Sequence, residues 1–154
     1  MPAVAAAVLA WALQFAIASS GLSVPSGAAP PIVTISQHQT LGHYADGDRW
    51  IGVTYVDARP VEIELHRGWR AKSKIDRCVL AHELTHYLQA VNGLHYEPQS
   101  RAEPLAYRAT AQCFEALHVS AGEVRWAWDQ VKKYGGLTAA ATPQPQAGSP
   151  APRR

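Results

Sequence analysis

The sequence predicts a small α+β domain: an antiparallel β-hairpin packed on one helix that carries a metal-binding pattern, with two further helices. Three observations lead there. Residues 50–56 and 61–66 are β-branched and aromatic runs, the second alternating apolar and polar at period two, and Asp57-Ala58-Arg59-Pro60 supplies turn chemistry between them. Leu80, Leu84, Tyr87, Leu88 and Val91 recur at helical spacing between Ser73 and Asn92-Gly93. On that same segment His82, Glu83 and His86 spell His-Glu-x-x-His and fall largely off the apolar stripe, so one face can pack while another coordinates.

The two ends of the 154-residue chain read differently from its middle. Val4 to Ile17 is an apolar, alanine-rich run too short to span a bilayer comfortably, and Ala16-Ile17-Ala18 follows the small-x-small rule for signal cleavage. Residues 1–18 are therefore expected to be a signal peptide. Met1-Pro2-Ala3 lacks the usual Lys or Arg, which keeps an uncleaved anchor as the alternative. Residues 19–31, small and proline-rich, read as a flexible leader, and residues 137–154, rich in Ala, Pro, Gln and Gly, as a disordered tail. Residues 32–136 remain, about a hundred residues and enough for one core. A secreted or periplasmic protein with no membrane span after signal removal is the expected outcome.

Within the domain, Ile32-Val33-Thr34-Ile35 is a short β-prone run, either a strand or an extended lead-in. In the hairpin, Val61, Ile63 and Leu65 should face the core, leaving Glu62, Glu64 and His66 to solvent or a cleft. Ser73-Lys74-Ile75-Asp76 is a capping box with Asp in place of Glu, opening a helix that runs to about Val91. A second helix starts near Ser100-Arg101-Ala102-Glu103-Pro104 and reaches about Val119. Ser120-Ala121-Gly122-Glu123 opens a third, ending before Gly135-Gly136, with Val124, Trp128 and Val131 marking its buried face and Trp126 partly exposed.

The formal net charge is +2 and the basic residues are scattered among acidic ones, which gives no footprint for nucleic acid. Arg67, Arg70, Lys72, Lys74 and Arg77 form a loose basic cluster whose ordinary role is a solvated face. Cys78 and Cys113 are the only cysteines. In an oxidising compartment they should bond and staple the first two domain helices. In a reducing one they would be two buried thiols, and neither has the short spacing of a thiolate metal site.

Residues four apart lie one turn apart on the same helix face, so His82 and His86 can offer two imidazoles to one ion. Zinc suits that donor set, and a catalytic zinc usually takes three protein ligands and leaves a fourth position for water. Glu83 would face that water and take its proton. Glu103 is the expected third ligand, because a helical return after a short loop would bring it alongside the histidines. Its competing role is to complete the Ser100-x-x-Glu103 capping box. His95 is the main alternative ligand. Glu97, Glu115 and the loop residues His38 and His43 are weaker candidates.

These residues resemble the zincin metallopeptidases, especially the gluzincin type, in which a Glu on a following helix is the third zinc ligand. The resemblance runs from about Val61 to Leu117 and rests on His82, Glu83, His86 and Glu103. The longer metzincin pattern does not fit, since its Gly and His positions are Gln89 and Asn92 here. The resemblance implies a minimal zincin-like domain and a peptide or protein substrate. It also implies a Tyr or His that steadies the oxyanion, with Tyr96 preferred over Tyr107 and His95. The expected function is zinc-dependent hydrolysis, most simply of a peptide bond and otherwise of a non-peptide amide. The alternative is a catalytically inactive zincin-like protein that binds zinc or a partner.

Overall fold

The structure is a computed structural model that describes residues 4–37, 52–135 and 144–145. It is a small α+β fold. In chain order its elements are α1 (Ala6–Ser20), β1 (Ile32–Ile35), β2 (Gly52–Tyr55), β3 (Glu62–Leu65), α2 (Lys74–Val91), β4 (Leu94–His95), a 3₁₀ turn (Gln99–Ala102), α3 (Glu103–Ala116), α4 (Ala121–Gly135) and β5 (Gln144–Pro145). His38, His43, Trp50 and Ile51 lie outside the described residues.

The expected hairpin is present as β2 and β3, antiparallel, with Thr54 opposite Ile63. The run Ile32–Ile35 is a strand, and it joins β3 in parallel, so the sheet is mixed with order β1-β3-β2. Alternation along β3 does what the sequence requires: Ile63 and Leu65 are fully buried and Glu62 is exposed. The inner face of the sheet lies on α2, whose Leu80, Leu84, Tyr87 and Leu88 fill the main core together with Val61, Ile63, Leu65 and Trp69. Val91, at the end of the expected stripe, is only half-buried.

Half of the expected capping box forms at the start of α2. Ser73 Oγ accepts from Asp76 N at 3.2 Å, but the Asp76 carboxylate turns outward along the preceding loop. It accepts from Arg70 N at 2.9 Å and from His66 Nε2 at 3.1 Å, while His66 Nδ1 accepts from Gly68 N. With Asp76, His66 fixes the loop that aims α2.

Three links set α3 against α2. Cys78 and Cys113 are disulfide-bonded, with Cα atoms 5.5 Å apart, and a second core of Ala111, Phe114 and Ala127 surrounds them. The third link, through Gln89, belongs to the site. On α4, Ala127 is fully buried and shares its face with Val124, Trp128 and Val131, which are half-buried, Val124 and Trp128 packing against the second core. A small residue at the contact lets the helices approach closely, and the bulky ones flank it.

Helix α1 lies against α2 and α3; Ala12, Ala16 and Ser19 are buried, Val8, Leu9, Trp11, Leu13 and Ile17 are partly buried against the main core, and the Arg77 guanidinium is 4.1 Å above the Trp11 ring. Residues 21–31, read as a flexible leader, form no helix or strand but are fastened to α2: Asn92 Nδ2 donates to Ser23 O at 2.8 Å and Tyr87 Oη to Ala29 O at 3.1 Å. Of the segment read as a disordered tail, only Gln144–Pro145 is described, paired antiparallel with β4. Among the described residues, no helix is long and apolar enough to cross a membrane.

Candidate metal centre

His82 and His86 sit one turn apart on α2, and the first residue of α3 brings Glu103 across to them. His82 Nε2 lies 3.2 Å from His86 Nε2 and 3.3 Å from Glu103 Oε2, and His86 Nε2 lies 3.5 Å from Glu103 Oε1. Ligands placed about 2.0–2.1 Å from a tetrahedral zinc stand about 3.3–3.4 Å from one another. Each pairwise approach is near that spacing, the two imidazoles facing different oxygens of Glu103, and together the three residues form a group that could hold a metal ion.

The surrounding hydrogen bonds fix which nitrogen each imidazole presents. Gln89 Nε2 donates to Ala102 O at 3.0 Å, which turns Gln89 Oε1 toward His86 Nδ1 at 2.9 Å, so Nδ1 carries the proton. Thr110 Oγ1 donates to Ala106 O and therefore accepts from His82 Nδ1 at 3.0 Å. Both Nε2 lone pairs then converge at a separation that calls for a proton or a cation between them. Such outer partners fix the tautomer and raise ligand basicity. Gln89 also ties His86 to the residue just before Glu103, so one buried amide positions two of the three ligands.

Glu103 does not cap its helix. The N-cap of α3 is Ala102, no side chain caps it, and Glu103 N reaches the main-chain oxygen of Ser100. Burial alone would raise the Glu103 pKa, but the His86 and His82 imidazoles outweigh it and hold the carboxyl well below the ordinary range. Burial would likewise lower the His86 pKa; Glu103 opposes it most strongly, then Glu83 and Gln89, and the result is a rise from 6.5 to about 9. His86 thus stabilises the cation-free fold fully below pH 6.5 and loses that effect as pH rises through about 9. Glu103 contributes above its ordinary 4.5 and loses its effect as acid protonates it. Because an incoming cation must displace the His86 proton, apparent metal affinity should climb with pH up to about 9. Calorimetric titrations at pH 6, 7 and 8 check this, and an affinity flat with pH would contradict the assignment of His86.

Glu83 is 4 % exposed and lies between α2 and β2, with Oε2 accepting from Thr54 Oγ1 at 2.7 Å. Tyr107 stands edge-on to His82, with ring centroids 4.7 Å apart, and stacks on Tyr134. Tyr96 is half-buried beside His86's partner Gln89, whose Nε2 is 3.5 Å from the phenol oxygen. His95 and Glu97 are exposed and outside the cluster, and Glu115 accepts from Trp128 Nε1 on the surface. His95 is displaced as a ligand because β4 places it beyond the turn that follows α2.

Sequence reasoning missed Gln89, Thr110 and Thr54. Gln89 was within reach, being three residues after His86 on one helix face. Thr110 repeats the face of Glu103 at a spacing of seven, a weaker signal. Thr54 depends on the docking of sheet on helix and leaves no mark in local sequence.

The family described as Domain of unknown function (DUF6647) matches residues 18–134. This chain belongs to the DUF6647 family. The matched segment contains β1 to α4, and with them every ligand candidate of the cluster and both cysteines. It begins at Ala18, where the sequence places the end of the signal peptide. No curated protein and no solved structure matches the chain.

Proposed function

We propose that this DUF6647 protein is a zinc-dependent hydrolase, most simply a peptidase of gluzincin-like construction. The observation that carries the proposal is the convergence of His82 Nε2, His86 Nε2 and the Glu103 carboxylate, each imidazole against one of its oxygens, with Glu83 next to His82 on α2. Two imidazoles and one carboxylate are a donor set of catalytic zinc, which leaves one position open. Zinc held there would lower the pKa of a coordinated water to about 7 and draw electron density from a carbonyl.

The chain's own groups supply the rest. Glu83 takes the proton of the attacking water as its oxygen bonds to the carbonyl carbon, then delivers it to the leaving nitrogen as the C–N bond breaks. Tyr96 is the favoured donor to the oxyanion. Burial raises its phenol above the ordinary 10, Gln89 only partly offsetting this, so the O–H stays intact at neutral pH. Among the described residues that hydroxyl donates no hydrogen bond, which leaves it for substrate. Digestion of a mixed peptide library, lost on chelation and restored by zinc, is the expected result. No cleavage by zinc-loaded protein would leave the binding-protein reading standing.

We also propose export to an oxidising compartment with removal of residues 1–18. The disulfide, the cleavage signature and the family boundary at residue 18 support this. The mass of protein recovered from the producing cell tests it; a chain retaining α1 would count against cleavage.

A further inference from the structure

We propose that Thr54 is a positioning residue for Glu83, anchoring one carboxylate oxygen and leaving the other for the reacting water; this rests on the hydrolase reading. Thr54 lies on β2, an edge strand of the sheet, and points inward with Gly52 toward α2. Its hydroxyl donates to Glu83 Oε2 at 2.7 Å and also lies 3.1 Å from Glu83 O, so one side chain ties strand, helix backbone and carboxylate together.

Gly52 completes the cradle. A Cβ there would stand 2.7 Å from Glu83 Cγ and 2.9 Å from Oε1, closer than atoms pack. Glu83 therefore lies directly on the strand, and any side chain at residue 52 would push it from this position. The two oxygens differ in consequence. Oε2 is held, whereas Oε1 makes no hydrogen bond among the described residues. A carboxylate fixed by one oxygen keeps the other pointed at its target without reorganisation, which is what makes a base effective.

Thr54→Val keeps the β-branched shape and removes the hydroxyl, and Thr54→Ser restores it. Three readouts apply to each variant: a crystal structure, calorimetric binding of acetohydroxamate to zinc-loaded protein, and kcat and KM on a cleaved peptide. Acetohydroxamate chelates zinc and presents a hydroxyl to a neighbouring carboxylate, so it senses Glu83 without turnover. In Thr54→Val, Glu83 should leave β2, and acetohydroxamate affinity and kcat should each fall about ten- to a hundredfold, the scale of one hydrogen bond to a charged group. KM and zinc content should stay at wild-type values, Thr54→Ser should recover the loss, and Thr54→Val added to Glu83→Gln should cost nothing more. If wild type cleaves no peptide, the hydrolase reading fails, while the crystal structure and hydroxamate series still decide Thr54. An unmoved Glu83 with undiminished hydroxamate binding overturns the proposal, as does loss of zinc in Thr54→Val, which would make Thr54 a support of the metal.

Discussion

Glu83→Gln is expected to abolish hydrolysis while leaving zinc bound. The amide has the size and shape of the carboxylate, and its oxygen can still accept from Thr54 Oγ1, so the packing between α2 and β2 survives. Glu83 is not one of the three converging donors, so metal content should not change. What the variant lacks is a group able to take a proton from water. General-base catalysis contributes about 10²–10⁴-fold, and a loss of that size in kcat is the expected result. A variant that binds zinc and still cleaves peptide at the wild-type rate would remove Glu83 from the mechanism.

Breaking the Cys78–Cys113 bond should have the largest effect on stability. The bridge closes a loop with a sequence separation of 35, and both cysteines are fully buried. Releasing a loop of that length from the unfolded chain costs about 4 kcal/mol on the chain-entropy model. For a domain of about a hundred residues this is roughly a 15–30 °C fall in melting temperature. Replacing both cysteines by serine avoids a stray thiol, and thermal melts of oxidised wild type against the double variant measure the difference. The consequence extends to the site. Cys78 lies one turn before His82 on α2, and Cys113 one turn after Thr110, the partner of His82, on α3. A melt unchanged within a few degrees would show that the core alone holds α2 and α3 together.

The site was legible in the sequence to the extent that it is local. His82, Glu83 and His86 share one helix, and their separation from the Leu80-Leu84-Leu88 stripe follows from its period. Glu103 was reachable because a short connection after Asn92-Gly93 forces a helical return. Its two readings, cap or ligand, are separated only by the conformation before α3, where a 3₁₀ turn takes over the start of the helix from Ser100. The parallel pairing of β1 with β3 was not legible, since nothing in Ile32–Ile35 specifies a partner or a direction. Thr54 and Gly52 were hidden for the same reason: their role depends on which face of an edge strand meets which turn of α2. The face of α4 was legible, since Val124, Trp128 and Val131 share it with the buried Ala127.

The central claim is that His82, His86 and Glu103 hold one metal ion, and zinc titration of the full-length protein followed by calorimetry tests it most directly. Wild type should bind one equivalent of zinc. Glu103→Ala should bind far more weakly, because it removes one of three ligands and the only carboxylate among them. A Glu103→Ala protein that takes up zinc as tightly as wild type, or a wild type that takes up none, would contradict the account.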